Sequence, residues 1–336
     1  MKSQTKNVDL VLEGGGVKGI ALLGAVLVLS EAGYRFPRIA GTSAGAIVAA
    51  LVAAYQKDGR DLHDLVDVMH RLDYKRFDDG SILQRTLGRV GDGAEVLLHN
   101  GAHTGNYLTE WLTPLLADVG VRTFADLRLP DDPGSSLADY QRYRLVVHAS
   151  DLSRQVLVRL PWDYAEYGKP ADTQLVVDAV RASMSVPFYF RPVTVDTPHG
   201  QVTWVDGGLL SNFPITVFDR TDDRPERWPT WGIKLSAQPA SDAPDHPQHT
   251  PAGLALACLQ TATNSDANRY QLDTEGVNRR TVYIDTSMTA ALDFDITLQT
   301  QNLLFESGSI AAGRFLEQLG AAIPPTQPHP DQPTSV

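Results

Sequence analysis

The fold of this chain is decided at Gly41-Thr42-Ser43-Ala44-Gly45, a G-x-S-x-G pentapeptide. Residues 36–40 before it predict a short buried strand, and the nearly all-aliphatic residues 46–55 after it predict a buried helix. Small residues around the serine let the chain turn sharply, so that the Ser43 oxygen is exposed at a helix N-terminus, where developing negative charge is favoured. A glycine- and serine-rich loop without chemistry is the alternative that this motif alone leaves open.

A second glycine-rich turn lies upstream, at Gly14-Gly15-Gly16-Val17-Lys18-Gly19, between a strand predicted over 8–12 and a helix predicted over 20–29. Such a turn can bind the pyrophosphate of a dinucleotide, but that use needs an acidic residue at the end of the next strand, about 20 residues on. The next predicted strand ends at Ala40 and leads into the serine turn. The same backbone N–H groups can instead stabilise an oxyanion beside the serine.

A serine nucleophile needs a base, which in α/β hydrolases is usually a histidine. His148 is predicted inside a strand, and His199 in a hairpin turn. The other histidines fall in polar, looped or Pro-rich surroundings: His63, His70, His99, His103, His246, His249 and His329. None is flanked by elements that would hold it against Ser43, which favours a carboxylate as the base.

The candidate carboxylate is in Asp206-Gly207-Gly208, which follows a strand predicted over 202–205. An Asp-Gly pair is also a strong hairpin-turn pattern, and by itself the motif favours that interpretation. Together with the two glycine turns, it favours Asp206 as the base. An aspartate that takes the serine proton directly must be close to it and partly desolvated, so that its pKa rises toward the working pH.

The motifs at 14–19, 41–45 and 206–208, in this order along the chain, resemble the patatin-like phospholipases. Further segments are similar to the same family: 105–112, 123–127 and 182–190. The resemblance implies a serine–aspartate acyl hydrolase of lipid esters that needs no metal or organic cofactor. It places the nucleophile on Ser43, the base on Asp206 and the oxyanion loop on residues 14–19. Many relatives have arginine where this chain has Lys18, and a lysine lacks the planar fork with which arginine grips a phosphate.

The expected architecture is an α/β three-layer sandwich, patatin-like, with a mainly parallel central sheet and helices on both faces. We expect one acyl hydrolase domain over 6–322. We expect the polar residues 58–101 to form a cap or insertion over the site, with an ordinary helical connection as the alternative. The Pro-rich residues 323–336 are expected to be a disordered tail.

Composition agrees with an ordinary globular protein: 336 residues, 43% hydrophobic and 21% charged. The formal net charge of −11 argues against nucleic-acid binding and against broad adhesion to anionic membranes. Any transient membrane contact would then rest on local apolar surface or on a partner. The single Cys258 excludes an intrachain disulfide, and no Cys/His spacing typical of a metal site is present. The polar first residues predict a cytoplasmic protein, with export by a non-classical route left open.

The leading hypothesis is therefore hydrolysis of a lipid ester, with phospholipid as the first candidate. Three alternatives stay open. A transacylase would use the same two residues with an alcohol acceptor. A nucleotide-binding module would use only the loop over 14–19, and an interaction protein would keep the fold without the chemistry.

Overall fold

The computed structural model describes residues 6–78, 104–222, 224, 226–235, 261 and 274–320. Several predictions fall outside these residues: 79–101 of the expected cap, the tail over 323–336, Cys258, and His99, His103, His246, His249 and His329. The single domain over 6–322 stays a prediction.

A mixed sheet of eight strands forms the centre of the fold. The described residues form ten strands: β1 (Lys6–Asn7), β2 (Asp9–Leu12), β3 (Tyr34–Arg35), β4 (Ile39–Thr42), β5 (Leu145–Asp151), β6 (Val156–Leu160), β7 (Val193–Thr197), β8 (Gly200–Asp206), β9 (Thr230–Lys234) and β10 (Thr281–Tyr283). The order in the large sheet is β10–β9–β2–β4–β5–β8–β7, with β6 also paired to β5, while β1 and β3 form a separate pair. Strands β10 to β5 in this order are parallel, and β6, β7 and β8 join by antiparallel pairs. The mainly parallel sheet is therefore confirmed.

Helices cover both sides of the sheet, as the three-layer prediction required. The described helices are α1 (Gly19–Glu31), α2 (Ala44–Asp58), α3 (Asp64–His70), α4 (Asn106–Asp118), α5 (Val176–Ser183), α6 (Thr274–Arg279) and α7 (Leu298–Gln318). The first two are apolar on every side and almost wholly buried, as expected for helices in the interior of a layered fold. None of the described helices is both long and apolar enough to cross a membrane.

Helix α7 returns from the end of the described chain to pack on α1. Two glycines allow the close approach. A Cβ atom on Gly24 of α1 would lie 2.2 Å from the carbonyl oxygen of Phe305, and one on Gly308 of α7 would lie 2.0 Å from that of Ala21. The two backbones are thus nearly in contact, which fixes the position of α1 and of the turn that precedes it.

Strand β5 brings the ends of two other strands together. Strand β6 runs along one edge of β5, from 147 to 151. On the opposite edge, β4 ends with Thr42 opposite His148, and β8 ends with Asp206 opposite Ala149. The carboxyl ends of β4 and β8 therefore meet head to head at consecutive positions of β5. The residue that follows Thr42 is Ser43, so the topology itself brings Ser43 to Asp206.

We predict that Gly308→Ala destabilises the protein, whereas Gly313→Ala on the same helix does not. A Cβ atom at 308 meets the backbone of α1, but one at 313 meets nothing within 4 Å. We expect the free energy of unfolding to fall by roughly 1–3 kcal/mol for Gly308→Ala. It should rise by up to about 1 kcal/mol for Gly313→Ala, because alanine is the better helix former. Urea unfolding measures both, and equal stabilities would contradict the close packing of α1 on α7.

Candidate active site

Ser43 forms the sharp turn between β4 and α2, as the pentapeptide predicted. Its φ of 53° and ψ of −125° are sterically unfavourable for a residue with a side chain. The flanking glycines make room for the turn: a Cβ atom on Gly41 would lie 2.3 Å from the carbonyl oxygen of Gly45. One on Gly45 would lie 2.5 Å from the carbonyl oxygen of Leu12. The serine is thus held in a strained conformation by close backbone packing, a feature that clusters at functional sites.

Asp206 ends β8 and is only 4% exposed. Burial raises the pKa of its carboxyl to about 6, and the Ser43 hydroxyl and the N–H of Gly208 oppose this rise. Gly208 donates its N–H to Oδ1 at 2.7 Å. The other oxygen, Oδ2, is buried and accepts no geometrically complete hydrogen bond within the described residues. The Asp206 carboxyl therefore has one oxygen held in place and one oxygen without a complete hydrogen bond among the described residues.

The turn after Asp206 is a short 3-10 helix, Gly207–Leu209, and not the hairpin that an Asp-Gly pair commonly makes. Its glycines pack too closely for side chains. A Cβ atom on Gly207 would lie 2.4 Å from the carbonyl oxygen of His148, and one on Gly208 would lie 2.8 Å from Oδ1 of Asn212. The two glycines thus let β8 end against β5 and leave Asp206 pointing at Ser43.

The end of α5 and the residues after it hold both halves of the Ser43–Asp206 pair. The buried Ser183 hydroxyl accepts the N–H of Ser43 at 2.9 Å. Two residues later, the Ser185 carbonyl accepts the N–H of Asp206 at 2.9 Å. Arg181 in turn donates to the Ser185 hydroxyl at 2.6 Å. Sequence reasoning gave these serines no role, and only the family resemblance of 182–190 pointed to the segment.

The glycine loop lies directly against the serine. A Cβ atom on Gly14 would lie 3.0 Å from the Ser43 Cβ and 2.3 Å from Oδ1 of Asn212. Asn212 also donates its side-chain amide to the Gly14 carbonyl at 3.0 Å. Farther along the loop, Gly16 has φ of +58°, and a Cβ atom there would lie 1.9 Å from the carbonyl oxygen of Ala291. Asn212 and Ala291 are site residues that no sequence motif singled out.

Only part of the loop has free amides. Four N–H groups donate inside the chain: Gly14 to the Asn212 carbonyl (3.2 Å), Val17 to Ala291 (3.0 Å), Lys18 to Gly15 (3.2 Å) and Gly19 to Gly16. The N–H groups of Gly15 and Gly16 have no such partner among the described residues. The loop therefore offers two adjacent backbone donors next to Ser43.

The side chain of Lys18 is not one of these free donors. Burial lowers the pKa of its amine, while the charges of Glu13 and Asp285 partly offset the change. Glu13 is itself buried and forms an ion pair with Lys234 at 3.4 Å between Oε1 and Nζ. The lysine thus belongs to a balanced group of charges beneath the loop, and the backbone supplies the free donors.

A narrow apolar pocket opens beside Ser43. It holds about 30 Å³ of space for water in this conformation. The side chains that close it come from α2, from the segment after it and from the turn beyond α5: Ile47, Met69, Leu72, Phe77, Met184 and Phe190. Met69, Leu72 and Phe77 belong to the first part of the expected cap, which therefore lies against the serine. Phe77 packs edge-on against Phe190, with ring centroids 6.3 Å apart.

His148 is the histidine nearest to the serine turn along the sheet, but it faces the other way. It pairs with Thr42, whereas Asp206 pairs with the next residue, Ala149, so the two side chains project from opposite faces of the sheet. His148 is fully buried, and burial lowers its pKa to about 4. His199 lies in the two-residue turn between β7 and β8. His63 is at the surface beside Asp61 and Glu31.

Metal ligands are not grouped around the site: in the part of the chain that the structure describes, no set of three or more His, Cys, Asp or Glu side chains could hold an ion. The candidate site thus consists of Ser43, Asp206, two backbone amides without a partner among the described residues, and an apolar pocket. Residues 10–219 match the family model of the patatin-like phospholipases. The chain belongs to the patatin-like phospholipase family. The predicted patatin-like fold and the resemblance found in the motifs are both confirmed.

Individual relatives agree with this assignment. The patatin-like chain is similar to the uncharacterized protein YqhO of Bacillus subtilis (strain 168), with 33% identity over 316 residues, 93% of this chain and 98% of that protein. A short stretch is similar to the lysophospholipase NTE1 of Chaetomium globosum, with 46% identity over 50 residues, 15% of this chain and 3% of that protein. The crystal structure of VipD from Legionella pneumophila has a TM-score of 0.50 at 16% identity, over 94% of this chain and 67% of that chain, a likeness of fold alone.

We predict that Asp206→Asn makes the protein more stable at pH 8. Because the pKa of Asp206 rises from 3.8 to about 6 on folding, the wild type loses stability as the pH rises between these values, and the full loss remains above them. An uncharged side chain avoids it. We expect a gain over the wild type of roughly 2–4 kcal/mol at pH 8 and little difference at pH 4.

Chemical unfolding at the two pH values gives this difference. The control is Asp118→Asn, where the side chain is 65% exposed and pairs with Arg60 at the surface. That change should alter stability by less than about 1 kcal/mol at pH 8. A loss of stability in Asp206→Asn at pH 8 would contradict this prediction. It would show that contacts in the folded protein offset the cost of burying the ionised carboxylate.

Proposed function

We propose that this patatin-like protein is a serine acyl hydrolase that cleaves ester bonds in lipids, of the phospholipase A or lysophospholipase type. Membership of the family supports a lipid hydrolase in general, and the dyad and the subtype belong to the proposal. One observation carries it: a buried Asp206 carboxylate with a free oxygen beside Ser43, which is held on a strained turn against two free amides. A surface aspartate could not take a serine proton near neutral pH, because its pKa is too low.

In the first step, Oδ2 of Asp206 accepts the hydroxyl proton of Ser43, and the serine oxygen attacks the carbonyl carbon of the ester. The strain at Ser43 and the hydrogen bond from its N–H to Ser183 keep the oxygen aimed at the substrate. Oδ1 stays fixed by Gly208 throughout, so that the carboxylate does not rotate away. The pKa of about 6 keeps Asp206 ionised at neutral pH, yet basic enough to share the proton.

The attack places a negative charge on the carbonyl oxygen of the substrate. The N–H groups of Gly15 and Gly16 are the donors for this oxyanion, since the other four amides of the loop are already occupied. The loss of one such donor can cost roughly 3–4 kcal/mol in the transition state. The N-terminus of α2 contributes in the same sense, because its dipole is directed at the serine.

Collapse of this intermediate breaks the bond to the alcohol, which leaves with the proton that Asp206 holds. The acyl group is now esterified to Ser43. Water then attacks the acyl-enzyme while Asp206 again takes a proton, and the carboxylic acid departs as the serine recovers its hydrogen. Every proton moves through Asp206, so neither a histidine nor a metal ion is required.

The apolar pocket supports a lipid as the substrate. Its lining is mainly apolar and suits a hydrocarbon chain. Because its free space is small, the aromatic side chains of Phe77 and Phe190 must move apart to admit a long chain. The short similarity to a lysophospholipase is consistent with a lipid that carries such chains.

The nucleotide-binding alternative is less well supported. The backbone amide of Val17 already donates to the Ala291 carbonyl oxygen, which therefore occupies the position of a bound phosphate oxygen. In addition, β4 ends at Thr42 and continues into the serine turn, so no acid is available for a ribose. A wild-type protein without measurable nucleotide affinity is expected.

The central experiment compares the wild type with Ser43→Ala. We expect the wild type to react with a fluorophosphonate probe and to release fatty acid from phospholipid. Ser43→Ala should lose both reactions and keep the fold, as judged by circular dichroism. Profiling of the products with added glycerol separates hydrolysis from transfer to an alcohol. Probe labelling at another residue, in a fully active Ser43→Ala protein, would contradict the proposal.

The base is tested by pH and by substitution together. We expect kcat/KM of the wild type to rise with pH through about 6 and then level, since Asp206 acts only when ionised. Asp206→Asn should lower the rate by several orders of magnitude at every pH. The control His148→Gln should keep the profile, because that side chain faces away from the site. A profile that followed His148 would favour a histidine triad.

We predict that Gly16→Ala lowers kcat at least tenfold, because a Cβ atom 1.9 Å from the Ala291 carbonyl oxygen displaces the donor loop. The matched control is Gly59→Ala. Gly59 also has positive φ, +78°, but has nothing within 4 Å of its Cβ position. It should cost about 1 kcal/mol of stability and leave kcat unchanged. Lys18→Ala should be milder than Gly16→Ala, since the donors are backbone groups.

A further inference from the structure

The turn beyond α5 holds a phenylalanine in a conformation that suits glycine. Tyr189 donates its N–H to the Val186 carbonyl at 3.1 Å, which closes a four-residue turn. Pro187 has a fixed negative φ, and Phe188 follows with φ of +69°. This is the pattern of a type II turn, whose third position requires positive φ and strongly favours glycine. A large aromatic side chain thus occupies a strained position that glycine would adopt without strain.

The side chain held by this strain is partly exposed to solvent. Phe188 is 43% exposed, although Val186 and Phe190 on either side of it line the pocket beside Ser43. Two other large apolar side chains are exposed to nearly the same degree on elements of the same site. Leu210, 42% exposed, follows the turn that carries Asp206, and Leu292, also 42% exposed, lines the pocket next to Ala291. We call Phe188, Leu210 and Leu292 the apolar rim.

We propose that the apolar rim docks on the surface of a zwitterionic lipid bilayer and positions the pocket to receive an acyl chain from it. This inference rests on the proposed lipid hydrolase function. Three separate elements around the candidate site each present one apolar side chain. Leu292 lines the apolar pocket, and Phe188 lies in sequence between the pocket residues Val186 and Phe190. Aromatic and aliphatic side chains of this kind partition into the bilayer interface.

Charge selects the kind of bilayer. The chain carries a formal net charge of −11, and near Leu292 the Asp295 carboxylate is paired with Lys75 at 3.3 Å while Asp293 adds to the negative charge. A surface rich in anionic lipid would repel a chain of this net charge, whereas a zwitterionic one would not. Apolar contact is therefore the main attraction, and binding should depend little on salt.

The experiment uses the full chain with Ser43→Ala, so that the vesicles stay intact. Binding to phosphatidylcholine vesicles is measured by flotation over a range of lipid concentrations. Phe188→Gly and Phe188→Ala should each weaken binding about three- to tenfold, and Phe188→Trp should preserve or tighten it. The control Leu319→Ser removes a side chain of similar exposure, 46%, from the far end of α7 and should bind like the parent.

The glycine and alanine variants separate docking from structural support. Both remove the ring, but only glycine relieves the strain of positive φ. Phe188→Gly should therefore unfold at a temperature about 1–3 °C higher than Phe188→Ala, with equal loss of vesicle binding. If binding instead followed thermal stability, the ring would be a structural element and the proposal would be wrong.

Activity gives an independent measurement in the Ser43 protein. Phe188→Gly should hydrolyse a short, water-soluble p-nitrophenyl ester within twofold of the wild-type rate, and vesicle lipid several-fold more slowly. An equal loss on both substrates would indicate distortion of the site and overturn the docking role. If the wild type hydrolyses neither ester, the proposed function fails. Vesicle binding by the Ser43→Ala protein then still tests whether the apolar rim docks on a bilayer.

A rim that joined two copies of the chain would also be apolar and exposed. Sedimentation of the wild type tests this. A dimer that Phe188→Gly dissolves, in a protein that does not bind vesicles, would overturn the lipid assignment. A monomer that floats with phosphatidylcholine and loses this behaviour in Phe188→Gly would support it.

Discussion

The site depends on one constraint of the sheet, the meeting of β4 and β8 on a single edge of β5. Strand β6 occupies the opposite edge of β5 over residues 147–151. Strands β4 and β8 therefore both pair with the remaining edge of β5. They run in opposite directions, so their carboxyl ends point at each other. A nucleophile placed just after one strand and a base placed at the end of the other then come together with no further loop to position them. The strained conformation of Ser43 is maintained because packed backbone surrounds it in this arrangement.

The same burial that suits Asp206 to its proposed role works against the stability of the fold. A carboxylate with one oxygen unpartnered in the interior is unfavourable when ionised, which is why burial raises its pKa. The surrounding chain compensates with a large apolar interior, in which α1 and α2 are almost wholly buried. The segment around Ser183 and Ser185 adds two hydrogen bonds that hold the serine and the aspartate in register. The packed interior around the site thus offsets the unfavourable burial of the Asp206 carboxylate.

The donor loop is completed from a distant part of the chain. Ala291, beyond the residues that match the family model, binds the Val17 amide and sits against Gly16. Leu235, at the end of β9, donates its N–H to the buried carboxylate of Glu13 just before the loop. The packing of α7 on α1 ties the end of the described chain to the helix that the loop begins. The chain after 219 therefore contributes to the geometry of the site as well as to the sheet.

The sequence alone determined the two strand–turn–helix units and the mainly parallel character of the sheet, and it singled out Ser43, Asp206 and the glycine loop as the candidate site. These features are local: apolar periodicity, turn glycines and short motifs depend on neighbouring residues. Only the tertiary structure decided which two loop amides stay free and that Asn212, Ala291 and Ser183 hold the site. It also decided that His148 faces away from Asp206 and that Phe188 is exposed. Those facts depend on the pairing register and on contacts between residues far apart in the chain, and no local pattern encodes them.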